Sequence, residues 1–327
     1  MSLMILWRKE FIEVVILCSI IVSTYSLNLI PEGYDPHIRP NGPDGEPVVV
    51  GISLVINSIN EVDEREMSIV LEVYIRVAWH DPRLVIPPNL YNDSDCEDIP
   101  LNNEIIEDLH LWLPDPTIER VQDMHSAKLL QGFSGVRLSR DAKIMWGKWF
   151  LINLRCAMFF HNFPFDMQTC HLDISSYFYG TSDMLFTWEG NGIHASPDIP
   201  KLLSNYIFTF HQENVTSCYS VNYINDQYPC LKSVMTFTRR YRSYMMGVYF
   251  PSFIFVIVAW ASFFWPPDAI PARTVLLITT LLATISLYAG VQQITPPTNY
   301  TRAIDNWFFA CIVAIASALF QYAVILQ

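Results

Sequence analysis

One arginine stands at the foot of an uncharged, helix-length run, Arg273 in PPDAIPARTVLLITTLLATISL. A permanent charge at membrane depth is costly and faces protein or water rather than lipid. Rings of Arg or Lys are one way to build an anion-selective pore. The plainer reading is a flanking arginine whose stem snorkels and marks the cytoplasmic end of a membrane helix. On that segment alone the plainer reading is favoured, and the rest of the chain reverses the preference. Read at helical spacing from Arg273, the residues Val275, Thr279, Leu282, Ser286 and Gln293 form a pore-facing line, alternately polar and apolar. Leu282 is the gate candidate, because a ring of leucines closes a water path by dewetting, whereas Leu281 packs within the bundle. The chain shows no nucleophile elbow, zinc-ligand spacing or phosphate-binding loop, so an enzyme, a metal site and a bound cofactor are not expected.

The elements that hold this helix are legible from composition. Of the 327 residues 51% are hydrophobic, and they gather at the start and in the last quarter. The opening MSLMILWRKEFIEVVILCSIIVSTYSLN has early basic residues, a short apolar run and small residues, the pattern of a secretory signal over residues 1–26. Residues 27–240 are then extracellular and residues 241–327 form a membrane domain. Its helices are expected over 243–265, 271–293 and 303–327, each long enough to cross a hydrocarbon core of roughly 30 Å. Pro251 in the first removes a backbone hydrogen bond and predicts a kink. Arg239, Arg240 and Arg242 just before that helix would point inward on a simple positive-inside count. A long domain behind a signal sequence, with acceptor triplets at Asn92 and Asn214, translocates regardless.

The outer region reads as all-β. VVVGISLVINSI, MSIVLEVYIRVAW and KIMWGKWFLINLRCAMFF run with β-branched and aromatic residues between turn clusters, which predicts an immunoglobulin-like sandwich. The net charge of −12 argues against nucleic acid, and most of the charges read as solvated surface. Besides Cys18 in the signal and Cys311 in the third helix, five cysteines remain, Cys96, Cys156, Cys170, Cys218 and Cys230, hence two pairs and one left over. Cys156 and Cys170 enclose CAMFFHNFPFDMQTC, and closing a loop of about fifteen residues stabilises a fold by roughly 3 kcal/mol in the chain-entropy model. The loop carries an apolar tip, Phe163-Pro164-Phe165, followed by Asp166, where a loop facing only water would be polar.

That loop resembles the signature of the Cys-loop receptors, the pentameric ligand-gated ion channels. The order of features agrees along nearly the whole chain: Trp79 with Asp81-Pro82-Arg83-Leu84, WLPDP from Trp112, the loop, a second cysteine pair, Pro251 and IPARTVLLITT. Pro271-Ala272-Arg273 and the pair Cys218 and Cys230 resemble the glycine-receptor and invertebrate glutamate-gated chloride-channel branch. The resemblance implies five subunits, identical or not, each with an outer β-sandwich and four membrane helices, in the plasma membrane and including a postsynaptic setting. Three helices are present here, so a fragment or a short form is expected.

The resemblance further implies a small ligand, an amino acid or an amine, bound between subunits in an aromatic pocket. The positions that match are Tyr74 and Arg76 before Trp79, Tyr177 after the loop, and Tyr223 and Tyr228 within the second cysteine pair. Aromatic faces attract an ammonium and an arginine forks onto a carboxylate, whereas each tyrosine singly reads equally as strand packing. Asn57 and Gly147 stand where relatives carry an arginine and a hydroxyl, which points away from plain glutamate or glycine agonism. Some relatives answer to protons or zinc, and histidines such as His80, His110 and His161 keep that alternative open. Coupling is implied where Phe163, Pro164 and Phe165 meet the connection Ile294 to Tyr300 with Pro297, and Asp166 is expected to pair with Arg239 or Arg240. The implied permeant ion is chloride, with membrane lipid around the helices. The competing expectations are a non-conducting or regulatory subunit of a heteromer and, remotely, a tethered ectoenzyme.

Overall fold

A computed structural model of the chain describes residues 29–41, 45–86, 98–101, 110–126, 134–213, 217–219, 227–266 and 269–325. The expected signal segment, both acceptor asparagines Asn92 and Asn214, Tyr223 and Cys96 lie outside them.

Alternation decides the outer domain. In β2, Ser68–His80, the residues Ile69, Leu71, Val73, Ile75, Val77 and Trp79 are all buried, while Glu72, Tyr74 and Arg76 point the other way. A strand shows its two faces in turn, so such a pattern buries one and leaves the other open. β2 pairs antiparallel with β1, Val48–Asp63, and along an unbroken register from Ser68↔Arg155 to His80↔Lys143 with β7, Lys143–Arg155. On the far side of β1 lies β10, Met184–Ala195, in parallel pairing. On the far side of β7 lie β6, Ser134–Ser139, then β3, Asp98–Leu101, and β5, Val121–His125, also pairs β7. These seven strands make one layer.

The opposing layer consists of two smaller sheets. One orders β11, Tyr206–Gln212, β14, Ser233–Arg239, and β8, Met167–His171. The other orders β12, Ser217–Tyr219, β13, Gln227–Leu231, β9, Ile174–Ser176, and β4, Pro116–Ile118. Val50, Ile52, Leu54 and Ile56 of β1 share a core with Met235 and Phe237 of β14, which defines the sandwich. Two disulfides close it, Cys156–Cys170 and Cys218–Cys230, with Cα separations of 5.2 and 5.8 Å.

Among the described residues three helices are long and apolar enough to span a membrane: α1, Arg242–Phe264, α2, Ile270–Ile294, and α3, Ala303–Ile325. α1 does not simply kink at Pro251. Proline offers no N–H to the preceding turn, and the chain takes a π turn over Met245–Tyr249 before regular helix resumes at Phe250. Ser252 donates to the carbonyls of Val248 and Tyr249 at 2.8 and 3.0 Å, and Trp307 of α3 donates its Nε1–H to Ser252 Oγ at 2.9 Å. The bend is thereby tied to its neighbour.

Candidate functional site

Three regions carry the chemistry: the open face of the large sheet, the junction between the domains, and the exposed stripe of α2.

On the open face, Tyr74 and Arg76 of β2 stand beside Gly147 of β7 and Gly135 of β6, two glycines paired directly across the strands. A cavity of about 280 Å³ opens there, lined by Tyr74, Arg76, Arg137, Met145 and the two glycines. Gly147 leaves room for the Tyr74 side chain as it stands, because a Cβ at that position would lie 2.3 Å from the Tyr74 hydroxyl. The position that lacks a hydroxyl in the sequence is thus occupied from across the strand by the hydroxyl of Tyr74. Arg76 lies over the Tyr74 ring at 5.1 Å. Neither Arg76 nor Arg137 is ion-paired among the described residues. Arg137 escaped the sequence reading, since only the β6 to β7 register sets it beside Met145 and diagonally from Arg76. A neighbouring cavity of about 170 Å³ shares Arg76 and Met145. Its floor is crossed by Glu189, which lies over Gly51 and accepts from Lys143 Nζ at 2.8 Å.

Tyr177 and Tyr228 lie elsewhere on the same chain. β13 pairs β9 at Cys230↔Ser175 and Leu231↔Ile174, and the same register runs on toward Tyr228 and Tyr177. Tyr177 is 80% exposed and Phe178 beside it 77%. Their backbone is held by Asp115, whose carboxylate accepts from the N–H groups of Tyr177 and Phe178 at 3.1 and 2.6 Å and from Ser176 Oγ at 2.8 Å. Behind them a polar chain runs inward. Trp112 donates its Nε1–H to the Tyr179 hydroxyl and its backbone N–H to the Tyr34 hydroxyl, each at 3.0 Å. Tyr34 in turn donates to Asp81 at 2.9 Å, and Arg83 grips both Asp81 oxygens at 2.8 Å. Burial pushes the Tyr34 hydroxyl up to about 12. Within one chain, then, Tyr74 and Arg76 are not brought together with Tyr177 and Tyr228. The two groups belong to different layers of the sandwich.

At the junction, Asp166 pairs with Arg239, Oδ1 to Nε at 2.6 Å and Oδ2 to Nη2 at 3.0 Å, and Glu64 accepts from Arg239 Nη1 at 2.6 Å. Burial alone would lower the Arg239 guanidinium, but the hydrogen bonds to Asp166 and Glu64 outweigh it and hold it above its ordinary value. Its planar face covers Phe163 and Tyr206 at 4.6 and 4.9 Å. Arg240 turns instead to the carbonyl of Pro200. The meeting with the α2 to α3 turn differs from expectation. Phe165 packs on Tyr241 and Tyr249 at the head of α1, and Pro297 is exposed. The turn is met by residues 160–163: Phe160 N–H donates to the Tyr300 hydroxyl at 2.9 Å, and His161 stacks on the Tyr300 ring at 3.9 Å. The carbonyls of His161 and Phe163 accept from Ala303 and Ile304 at 2.8 and 3.2 Å. Arg65 reaches the Gln293 carbonyl from the β1 to β2 turn.

In α2 the exposed stripe holds Val275, Thr279, Leu282, Ser286 and Gln293, and the buried stripe holds Leu277, Thr280, Thr284 and Val291. Arg273 belongs to the buried stripe. It is 7% exposed, its guanidinium lies 5.5 Å from the Tyr322 ring of α3, and its Nε is buried without a hydrogen-bond partner among the described residues. The expectation that Arg273 continues the exposed line is therefore corrected. At about 100° per residue Val275 stands about 200° away from it, so the two face opposite sides.

Residues 24–241 match the family model of the neurotransmitter-gated ion-channel ligand binding domain, and residues 248–327 that of the neurotransmitter-gated ion-channel transmembrane region. The chain belongs to the neurotransmitter-gated ion-channel family, the Cys-loop receptors, whose members are ligand-gated membrane channels and not enzymes. Membership brings pentameric assembly, a small ligand on the extracellular domain and a plasma-membrane setting.

Proposed function

We propose that the chain is a subunit of an anion channel, opened by a small ligand with a carboxylate that binds between neighbouring subunits. One observation carries the reading: two guanidiniums, Arg76 and Arg137, and the Tyr74 ring line one cavity on a sheet face turned away from its own core. Guanidinium forks suit a carboxylate, and their fixed planes give both direction and strength. The second half of the pocket, Tyr177 and Tyr228, belongs to the other layer of the chain, which a ring of subunits brings against the Tyr74 face of the next. The aromatic half then takes the ligand's ammonium and the arginine half its carboxylate, as an amino-acid transmitter requires.

Anion preference is read from the foot of α2. The helix begins at Ile270 with no acidic residue in its first turn, so its free N–H groups carry the positive end of the helix dipole. Pro271 and Ala272 are exposed there, and Arg273 adds its charge from behind, against Tyr322. Five such termini around an axis favour an anion by their summed field rather than by a ring of lining arginines.

Voltage-clamp recording from cells expressing the full-length protein tests both parts. Glycine, glutamate, γ-aminobutyrate and histamine are applied with external chloride varied, alongside zinc and pH steps. A reversal potential that follows chloride supports the selectivity. A carboxylate agonist weakened at least tenfold by Arg76→Gln or Arg137→Gln supports the pocket. Currents carried by cations, or agonism indifferent to both arginines, overturn the reading.

A further inference from the structure

Arg273 and Tyr322 meet where the first turn of α2 packs against the last turns of α3, and neither is satisfied in the ordinary way. Arg273 is buried, and among the described residues no carboxylate pairs with it. Its Nε is buried without a hydrogen-bond partner there, and so is the hydroxyl of Tyr322, a residue only 4% exposed. An arginine in a protein keeps its proton, so this charge is not relieved by titration. Leu277, one turn along α2, joins Ile315, Ala318 and Tyr322 of α3 in an apolar cluster, whose aliphatic members offer a cation no acceptor.

What faces the guanidinium is the ring of Tyr322, 5.5 Å from its central carbon. An aromatic face carries negative partial charge and attracts a cation at this distance, more strongly where water is excluded. The two orphaned groups then carry separate information. A buried hydroxyl without a partner opposes folding, so the position uses the ring of Tyr322 and not its oxygen. A buried N–H without an acceptor gives the guanidinium a reason to leave for water, which the attraction of the ring offsets.

Where that charge stands bears on ion flow. Arg273 lies about 200° around the helix from Val275 of the exposed stripe. Held on Tyr322, it acts from behind α2; released toward water, it would stand at the helix foot beside the exposed Pro271 and Ala272. Charge at the mouth of a narrow path raises the local concentration of the opposite ion. We propose that Tyr322 is a positioning residue for ion flow: the face of its ring holds the Arg273 guanidinium behind α2 and so sets how much positive charge the pore mouth presents. This rests on α2 lining the pore, and not on the sign of the permeant ion.

The test changes the ring's charge distribution and keeps its shape. Purified full-length protein in detergent is treated with phenylglyoxal, and modification of Arg273 is timed by peptide mass spectrometry in the parent, in Tyr322→Phe and in Tyr322→3,4,5-trifluorophenylalanine. Arg302, buried in its ion pair with Asp305, is the internal control for general loosening. The phenylalanine variant should react at the parent's rate, and the fluorinated one at least about threefold faster, with Arg302 unchanged. Equal rates in both variants, or Arg302 speeding up alongside Arg273, would overturn the proposal. Unitary conductance, recorded with the agonist that the voltage-clamp series identifies, reads the consequence. The fluorinated variant should differ from the parent by at least about 1.5-fold, upward for an anion channel and downward for a cation channel, and the difference should shrink in high salt. A wrong reading of selectivity would thus reverse the sign, whereas an unchanged conductance beside faster modification would overturn the role in ion flow.

Discussion

Replacing Tyr300 by Phe removes one oxygen from the junction between the domains and little else. The ring keeps its stack on His161 at 3.9 Å, while the Phe160 N–H loses the acceptor it has at 2.9 Å. Phe160 is fully buried, so water cannot take the place of that hydroxyl. A buried donor left without a partner costs about 1–3 kcal/mol, which is about 5- to 150-fold in the equilibrium between docked and undocked junctions. Among the described residues the hydroxyl accepts from the loop that links ligand domain to pore, so the loss falls on communication between them. Tyr300→Phe should shift the agonist concentration–response curve at least fivefold to the right and reduce the maximal current at equal surface expression. Voltage clamp with surface biotinylation measures both. The melting midpoint of the purified protein should fall as well, by about 2–4 °C for each kcal/mol. An unmoved response curve together with an unmoved midpoint would refute the reasoning. A lower midpoint with an unchanged curve would mean that the contact is equal in closed and open states, and a contact of equal strength shifts nothing.

Other outcomes follow from single contacts. Gly147→Ala would bring a Cβ to 2.3 Å from the Tyr74 hydroxyl, so Tyr74 must swing away; agonist potency should fall severalfold with little change in expression, and potency equal to the parent would argue against Tyr74 as a ligand contact. Leu282 is 58% exposed on the stripe of α2; Leu282→Thr should hold the pore wet, giving standing current without agonist and a left-shifted response, and a silent, unshifted channel would remove Leu282 as the gate. Tyr34 is pushed by burial from its ordinary 10.0 to about 12, so the folded state keeps its proton after the unfolded state has lost it. The stability this contributes is full below pH 10 and is lost between pH 10 and about 12. Tyr34→Phe should start less stable, because Asp81 and Trp112 lose a partner, and should decline less over that window; parallel melting curves for parent and variant from pH 9 to 12 would contradict the assignment.

How much of this was legible beforehand depended on range. Alternation in MSIVLEVYIRVAW dictated which face of β2 is buried, and three apolar runs of spanning length dictated the membrane helices, because strand and helix periodicity are properties of the local backbone. Spacing also carried the Cys156 to Cys170 loop and the stripe of Val275, Thr279, Leu282, Ser286 and Gln293 along α2. What spacing could not supply was the other side of each contact. Arg273 looked like a lining residue until the bundle put Tyr322 over it, since periodicity relates residues of one helix and leaves open which stripe the neighbours cover. Arg137 joined Arg76 only through the register of β6 on β7, and Tyr300 met Phe160 across 140 residues of sequence. Phe165 was drawn to Tyr241 and Tyr249 rather than to the α2 to α3 turn, because the buried pair of Asp166 and Arg239 anchors the residue next to it at the head of α1. Composition and period determined the two domains and their faces, since both act within a few residues. The partners across strands, helices and the domain junction were decided by packing, where long-range contacts compete for the same buried space.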